Sequence, residues 1–242
     1  MQEPGQTACI IIQARMTSSR LPGKVLMDLG GKPALELMIS RLKQCTRVSE
    51  IVVATTSNQT DDAVASLCES LQISCIRGDE FDVLGRMCIA ADMHPADYYV
   101  RLTADCPFAD PSIVDRVIGD TQARNAEYGS NILPRTYPDG LDVEVVSVNL
   151  LHECAKNAVT KRDREHVTTW IRDQVSSASN NIVASNTNHD LDLGSLRWTL
   201  DTEADYKKLT HLANQLPSHA SWIEFLQFDS EYLGLAKTGN GN

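Results

Sequence analysis

The first half of the chain alternates short apolar runs with amphipathic stretches. Ala8 to Ile12 is an unbroken apolar run rich in β-branched residues, the pattern of a strand buried on both faces. Behind Pro33, which suits the first position of a helix, Leu35, Leu37, Met38, Leu42 and Cys45 supply an apolar side. Glu50 to Thr55 predicts a second strand, and Thr60 with Asp61 and Asp62 predicts a cap for a helix turning Ala63, Val64, Leu67, Cys68 and Leu71 inward. Ile73 to Ile76 predicts a third strand. Gly78-Asp79 opens a helix with Val83, Leu84, Met87, Cys88 and Ala91 inward, and Tyr98 to Leu102 predicts a fourth strand. A β-α unit repeated at regular spacing predicts a parallel sheet with crossover helices.

The second half breaks that rhythm. Asp110-Pro111 predicts the start of a short helix carrying Ile113, Val114, Val117 and Ile118, while Tyr128 to Leu133 reads as irregular. Leu141 to Val148 alternates enough for a strand, with an antiparallel course open to it, and residues 149–175 read as helical. Asn180 to Ser185 and Ser195 to Leu200 predict strands, Thr202 to Leu216 a helix, and Trp222 to Phe228 a short final one. Residues 1–7 and 237–242 are expected to be loose, and residues 125–175 are the place for an excursion serving dimerisation or an acceptor.

Composition narrows the class without naming it. The 242 residues fit one domain with a sizeable core, and no apolar run approaches the roughly 18 residues of a membrane helix. The start of the chain lacks the pattern of a signal peptide, which points to the cytoplasm. A net charge of −10 argues against general nucleic-acid binding. Seven scattered cysteines without a C-x-x-C pair read as reduced core thiols.

Against that acidic background the segment after the first strand stands out. Gln13-Ala14 leads into a loop with Arg15, Arg20 and Lys24, the hydroxyls of Thr17, Ser18 and Ser19, and a stiffening Pro22-Gly23. Ligands of open α/β sheets sit beyond the carboxyl ends of the strands, so a cationic loop there suits a chain of phosphates. It is neither the P-loop nor the dinucleotide turn. Asp105, in Arg101-Leu102-Thr103-Ala104-Asp105-Cys106-Pro107, follows the fourth strand and suits Mg²⁺ shared with phosphate oxygens; an Asx turn before the proline explains it equally. Asp201 ends another apolar run, where Thr202 to Asp205 also imitates a capping box. Asp142 and Glu144 share a face if their segment is a strand, facing an acceptor or merely water. Arg164 and His166 suit an anionic acceptor or an ordinary surface helix, and Asp82 and Arg86 suit sugar contacts or a capped helix.

Gln13-Ala14-Arg15-Met16 and Arg20-Leu21-Pro22-Gly23-Lys24-Val25-Leu26 resemble the opening motif of the SpsF family of spore-coat polysaccharide proteins, within the acylneuraminate and KDO cytidylyltransferases. The blocks around Asp105, Asp201, Arg164 and Gly78 echo the same family. Thr17 departs from it, standing where the family has glycine, and a β-branched residue resists positive φ. The resemblance implies a single Rossmann-like domain of the GT-A nucleotidyltransferase type, with a mixed, mostly parallel sheet and helices on both faces. It implies CMP transfer from CTP to a sugar acid such as a 3-deoxy-2-keto acid, for polysaccharide biosynthesis, in a homodimer. Nucleotide binding would fall to Gln13, Ala14, Arg15, Ser18, Arg20, Lys24 and Thr103, and catalysis to Arg15, Lys24, Asp105 and Asp201. Asp105 and Asp201 would hold Mg²⁺, and Asp142, Glu144, Arg164 and His166 would meet the acceptor. Two rivals stay open: a glycosyltransferase of the same fold using a nucleotide sugar, and a relative that binds nucleotide without turnover.

Overall fold

A computed structural model of the chain describes residues 6–177 and 182–229. The buried apolar runs form β1 (Ala8–Gln13), β2 (Glu50–Thr56), β3 (Ser74–Gly78) and β4 (Tyr98–Thr103), all parallel and ordered β3-β2-β1-β4. Three shorter strands, β5 (Tyr128–Ser130), β6 (Glu144–Ser147) and β7 (Ala184–Asn186), continue the sheet beyond β4 in the order β6-β5-β7. β6 runs antiparallel to both its neighbours. The expected mixed, mostly parallel sheet is therefore present, in one α/β domain.

Alternation along β1 explains the layers. Ala8, Ile10 and Ile12 enter one core with α1 (Ala34–Leu42), α2 (Asp62–Ser70), α4 (Pro111–Ala123), α8 (Glu203–Gln215) and α9 (Trp222–Phe228). Cys9 and Ile11 enter the other with α3 (Val83–Met93), α5 (Val148–Asn157) and α7 (Thr169–Ser177), and α6 (Lys161–His166) packs on α3. A strand wholly sandwiched this way must be apolar on both sides. The cysteines of this core are free, and burial pushes the Cys9 thiol up to about 12, which removes its nucleophilic form at neutral pH.

Several expectations change. The antiparallel strand begins only at Glu144, because the Asn131 side chain spans the preceding residues: Asn131 Nδ2 donates to Leu141 O at 2.8 Å and Val143 N donates to Asn131 Oδ1 at 2.9 Å. Tyr128 opens a short strand instead of an irregular stretch. Residues 195–200 form no strand; among the described residues one bridge, Asp139 to Arg197, is their only ladder contact, and Leu196, Trp198 and Leu200 are buried by packing. The helical region from 149 is three helices. Thr160 caps a new one, and Val167, at φ 57° and ψ −65°, makes a γ-turn in which Thr168 N donates to His166 O. Within residues 125–175, β5 and β6 belong to the sheet. Thr60 caps nothing; it lies in a 3₁₀ turn, Gln59–Asp61, from which Asp61 turns inward. Thr7 is ordered, its N–H donating to Asp97 at 2.7 Å. Residues 1–5 and 237–242, and the expected strand start at Asn180, lie outside the described residues.

One buried ion pair joins the last helix to the frame. Arg41, 1 % exposed, donates to Ala109 O, Ser218 O and Ala220 O and pairs with Asp110, which also caps α4 and accepts from Trp222 N. Removing one partner of such a pair leaves an uncompensated charge and unfilled acceptors. Arg41→Ala is expected to cost about 3–5 kcal/mol of stability, read as a fall in the urea midpoint at unchanged slope; a loss within 0.5 kcal/mol would refute the clamp.

Candidate functional site

Strand order places the site. The chain leaves β1 toward β2 and β3 and returns on its other side as β4, so the loops after β1 and β4 part and leave a crevice. Gln13 and Thr103, the last residues of those strands, lie side by side. Arg15, Ser18, Arg20, Lys24 and Asp105, carried beyond them, line one cavity of about 360 Å³.

The β1 loop is held in shape from below. Gly23 takes φ 73°, its N–H donating to Met16 O at 2.9 Å, and turns the chain into the 3₁₀ turn Lys24–Leu26. Asp61, fully buried, accepts from Met16 N at 2.6 Å. Thr17 does not take positive φ, so the clash expected of a β-branched residue there does not arise. Its hydroxyl donates to Glu80 at 2.5 Å and ties the loop to the turn before α3.

At the mouth, the Lys24 ammonium lies between two carboxylates, 2.9 Å from Asp105 Oδ2 and 2.8 Å from Asp201 Oδ1. Asp201 is brought there by its neighbour, since Leu200 N donates to Asp105 O at 2.7 Å. Thr202 and Asp205 form the capping box behind it. Burial works to raise the Asp201 carboxyl, but Lys24, Arg197 and Arg20 outweigh it and hold it below the usual carboxylate range. Arg20 lies 3.1 Å and Arg197 2.7 Å from Asp201, and Arg15 faces Glu80 and Glu165 at 3.9 and 3.5 Å. Each cation of the loop is thus matched by carboxylates.

The pairs continue from Asp201 away from the cavity as a ladder that the sequence did not reveal. Arg197 also holds Asp139 at 3.0 Å and Asp205 at 3.3 Å, and Arg135 links Asp139 to Asp142. Gly140, at φ 111°, lets this loop approach: a Cβ there would stand 2.6 Å from the Trp198 carbonyl carbon.

Asp142 and Glu144 hold different arginines, while Leu141, Val143 and Val145, which alternate with them, enter the first core. Asp142 grips Arg135 through both oxygens, whereas Glu144, 3 % exposed, accepts from Arg101 at 2.6 Å and Tyr128 OH at 2.5 Å. Burial opposes the Glu144 charge, yet Arg101 and Tyr128 keep its carboxyl below the ordinary range. Arg101 in turn donates to Gln13 at 3.1 Å, and both line the cavity. His166 also lines it, but Arg164 does not; it grips Asp82, the N-cap of α3, with Nε at 2.7 Å. Ala14, Ser18, Arg20, Thr103 and Asp105 complete the wall with Lys24 and Asp201.

Asp105 and Asp201 fit a divalent cation. Their oxygens converge within 3 Å of one point, the Lys24 nitrogen, and hard carboxylate ligands suit Mg²⁺ or Mn²⁺. Among the described residues no set of three His, Cys, Asp or Glu gathers around a metal, so phosphate oxygens and water would have to fill the remaining positions.

A sequence model of the cytidylyltransferases matches residues 9–213. The chain belongs to this family. It is 33% identical to the spore coat polysaccharide biosynthesis protein SpsF of Bacillus subtilis over 84% of each chain. An uncharacterized protein of Methanocaldococcus jannaschii is 39% identical over 66% of this chain and 65% of its own length. A 3-deoxy-manno-octulosonate cytidylyltransferase of Geobacter sulfurreducens is 31% identical over 57% of this chain and 55% of its own. The chain thus spans between half and two thirds of these last two relatives. A solved cytidylyltransferase from Leptospira borgpetersenii superposes with TM-score 0.86 at 29% identity, over 93% of this chain and 94% of that one.

Because Lys24 stands where a divalent cation would have to go, removing its charge should open the carboxylate pair. Lys24→Met is expected to bind Mn²⁺ about tenfold or more tightly without nucleotide, the worth of one partly buried ion pair. Titration followed by the Mn²⁺ spin resonance signal checks this, and equal affinity in the two proteins would contradict it.

Proposed function

We propose that this chain transfers CMP from CTP to a hydroxyl of a sugar acid and releases pyrophosphate. The observation that carries the reading is one crevice in which Arg15, Arg20 and Lys24 interleave with Asp105 and Asp201 at the parting of β1 and β4. Such a set suits a polyanion whose charge must be neutralised as it moves. Incoming phosphates take over Lys24 and Arg20, which releases Asp105 and Asp201. Mg²⁺, held by that pair, would supply charge neutralisation at the α-phosphate and lower the pKa of the attacking hydroxyl. The hydroxyl oxygen then bonds to the α-phosphorus as the bond to pyrophosphate breaks, and the cations stabilise the departing anion.

CTP, in preference to the other nucleotides, is supported by family membership. A sugar-acid acceptor and a role in surface polysaccharide synthesis are supported by the names of the Bacillus and Geobacter relatives, and belong to the same proposal, as do the cytoplasmic setting and the homodimer. His166, Arg101 and Gln13 are the residues we assign to the acceptor side in place of Asp142, Glu144 and Arg164, because they reach the cavity. A nucleotide-sugar donor has no observation in its favour, since Asp142 and Glu144 serve separate arginines.

Pyrophosphate release is the test, with Mg²⁺ and each of the four nucleoside triphosphates against a panel of keto-sugar acids. Release is expected only with CTP and one class of acid. Asp105→Ala and Lys24→Ala should each cut it by about 10²–10³ in proteins that melt as the parent does. Near-normal turnover in either folded variant, or release from a nucleotide sugar with a glycan instead, would sink the reading.

A further inference from the structure

Of the three loop cations, Arg15 is held most loosely. Lys24 lies within 2.9 Å of two carboxylates and Arg20 3.1 Å from one, whereas Arg15 stays 3.9 Å from Glu80 Oε1 and 3.5 Å from Glu165 Oε1. A charge-assisted hydrogen bond spans about 2.7–2.9 Å, so neither gap is closed. Glu80 is the more buried of the two acids and therefore the stronger competitor for the guanidinium. Arg15 lines the cavity, and a small swing of the Glu80 side chain would neutralise it before any ligand arrived.

Two uncharged donors stand against that swing. Thr17 Oγ1 donates at 2.5 Å to Glu80 Oε1, the same oxygen that faces Arg15, and Asn58 Nδ2 donates to Glu80 Oε2 at 2.7 Å. The Thr17 hydroxyl, with smaller help from Asn58 and Arg15, holds the Glu80 carboxyl below the usual carboxylate range although burial opposes it. Glu80 is thus an anion at neutral pH, restrained by neutral groups. Both donors stand on fixed backbone. Met16 N donates to Asp61, Ser18 N donates to Met16 O at 3.0 Å, and Arg77 Nη2 donates to Asn58 O at 2.8 Å. The turn that carries Glu80 is fixed as well. Asp79 Oδ1 accepts from Phe81 N and Asp82 N at 2.8 and 3.0 Å, and Arg86 Nη1 donates to Asp79 O and Glu80 O. Only the Glu80 side chain is left to move.

We propose that Thr17 is a positioning residue for the polyanion: its hydroxyl, with the Asn58 amide, detains the Glu80 carboxylate and leaves Arg15 open to phosphate oxygens. The assignment rests on the nucleotide reading of the cavity. A site competent for only part of the time loses affinity by that fraction, so the worth of this clasp is read as a ratio of dissociation constants.

Equilibrium binding of inorganic tripolyphosphate and of CTP, without metal, to the parent chain, Thr17→Val, Thr17→Ser, Glu80→Gln and the double variant Thr17→Val/Glu80→Gln tests this. Water competes for an exposed hydroxyl's partner, so the expected effect is modest: Thr17→Val binds both anions about threefold more weakly. Thr17→Ser, which keeps the hydroxyl, binds as the parent does. Glu80→Gln binds at least as tightly as the parent, and adding Thr17→Val to it costs nothing further, because no carboxylate remains to be detained. Thr17→Ala reads the same way should valine disturb the loop. Equal weakening by Thr17→Val in both backgrounds would make the hydroxyl a ligand contact or a mere support of the loop, and would overturn the proposal. Parent-like affinity in folded Thr17→Val would overturn it too. A parent chain that binds neither tripolyphosphate nor CTP would overturn the nucleotide reading, and the proposal with it.

Discussion

The Lys24 ammonium, held 2.9 Å from Asp105 and 2.8 Å from Asp201, joins the β1 loop, the end of β4 and the start of α8 at one point. Only 11 % of the lysine side chain and 14 % of that of Asp201 meet solvent, so neither charge is stable there alone. The two carboxylates repel, the cation binds both, and removing any member strands the others. Arg20 and Arg197 spread the negative charge further, and the Arg135 and Asp139 pairs carry it to the loop beyond β5. Charge pairing, more than apolar contact, fixes the mouth of this site.

That arrangement has a consequence for ligands. A polyanion gains little from cations already neutralised unless it replaces their partners, and a divalent cation gains little from carboxylates already occupied. Each ligand frees what the other needs, so their binding is coupled and the coupling is reciprocal. Rigid walls keep the exchange local. Asp61 and Gly23 hold the loop backbone, and Leu200 N fixes Asp105 O, so side chains can change partners while strands stay put. At the other end Glu144 holds Arg101, and Arg101 holds Gln13, through a chain of buried contacts.

Much of this was legible in the sequence where local pattern decides. The β-α signals of the first half became β1 to β4 and the helices between them, and Asp105 and Asp201 were legible because each ends an apolar run. Their convergence was not, since only topology sets two positions 96 residues apart on one ammonium. Asp142 precedes the strand that Glu144 opens, because Asn131 supplies the bonds a strand neighbour would have made, and each acid finds its own arginine. The break at Val167 was invisible for a similar reason: nothing local favours a β-branched residue at φ 57°, and its side chain is held there by burial in the second core. Arg86 fell between apolar positions of a helix, and its burial at the cavity wall is a property of space.

The central claim is that Lys24 changes partners when nucleotide arrives. A crystal structure of the chain with CTP tests it most directly. The account predicts Lys24 Nζ within hydrogen-bond distance of phosphate oxygens, with Asp105 and Asp201 released from it. CTP bound in the crevice while Lys24 still bridges both carboxylates would contradict the account.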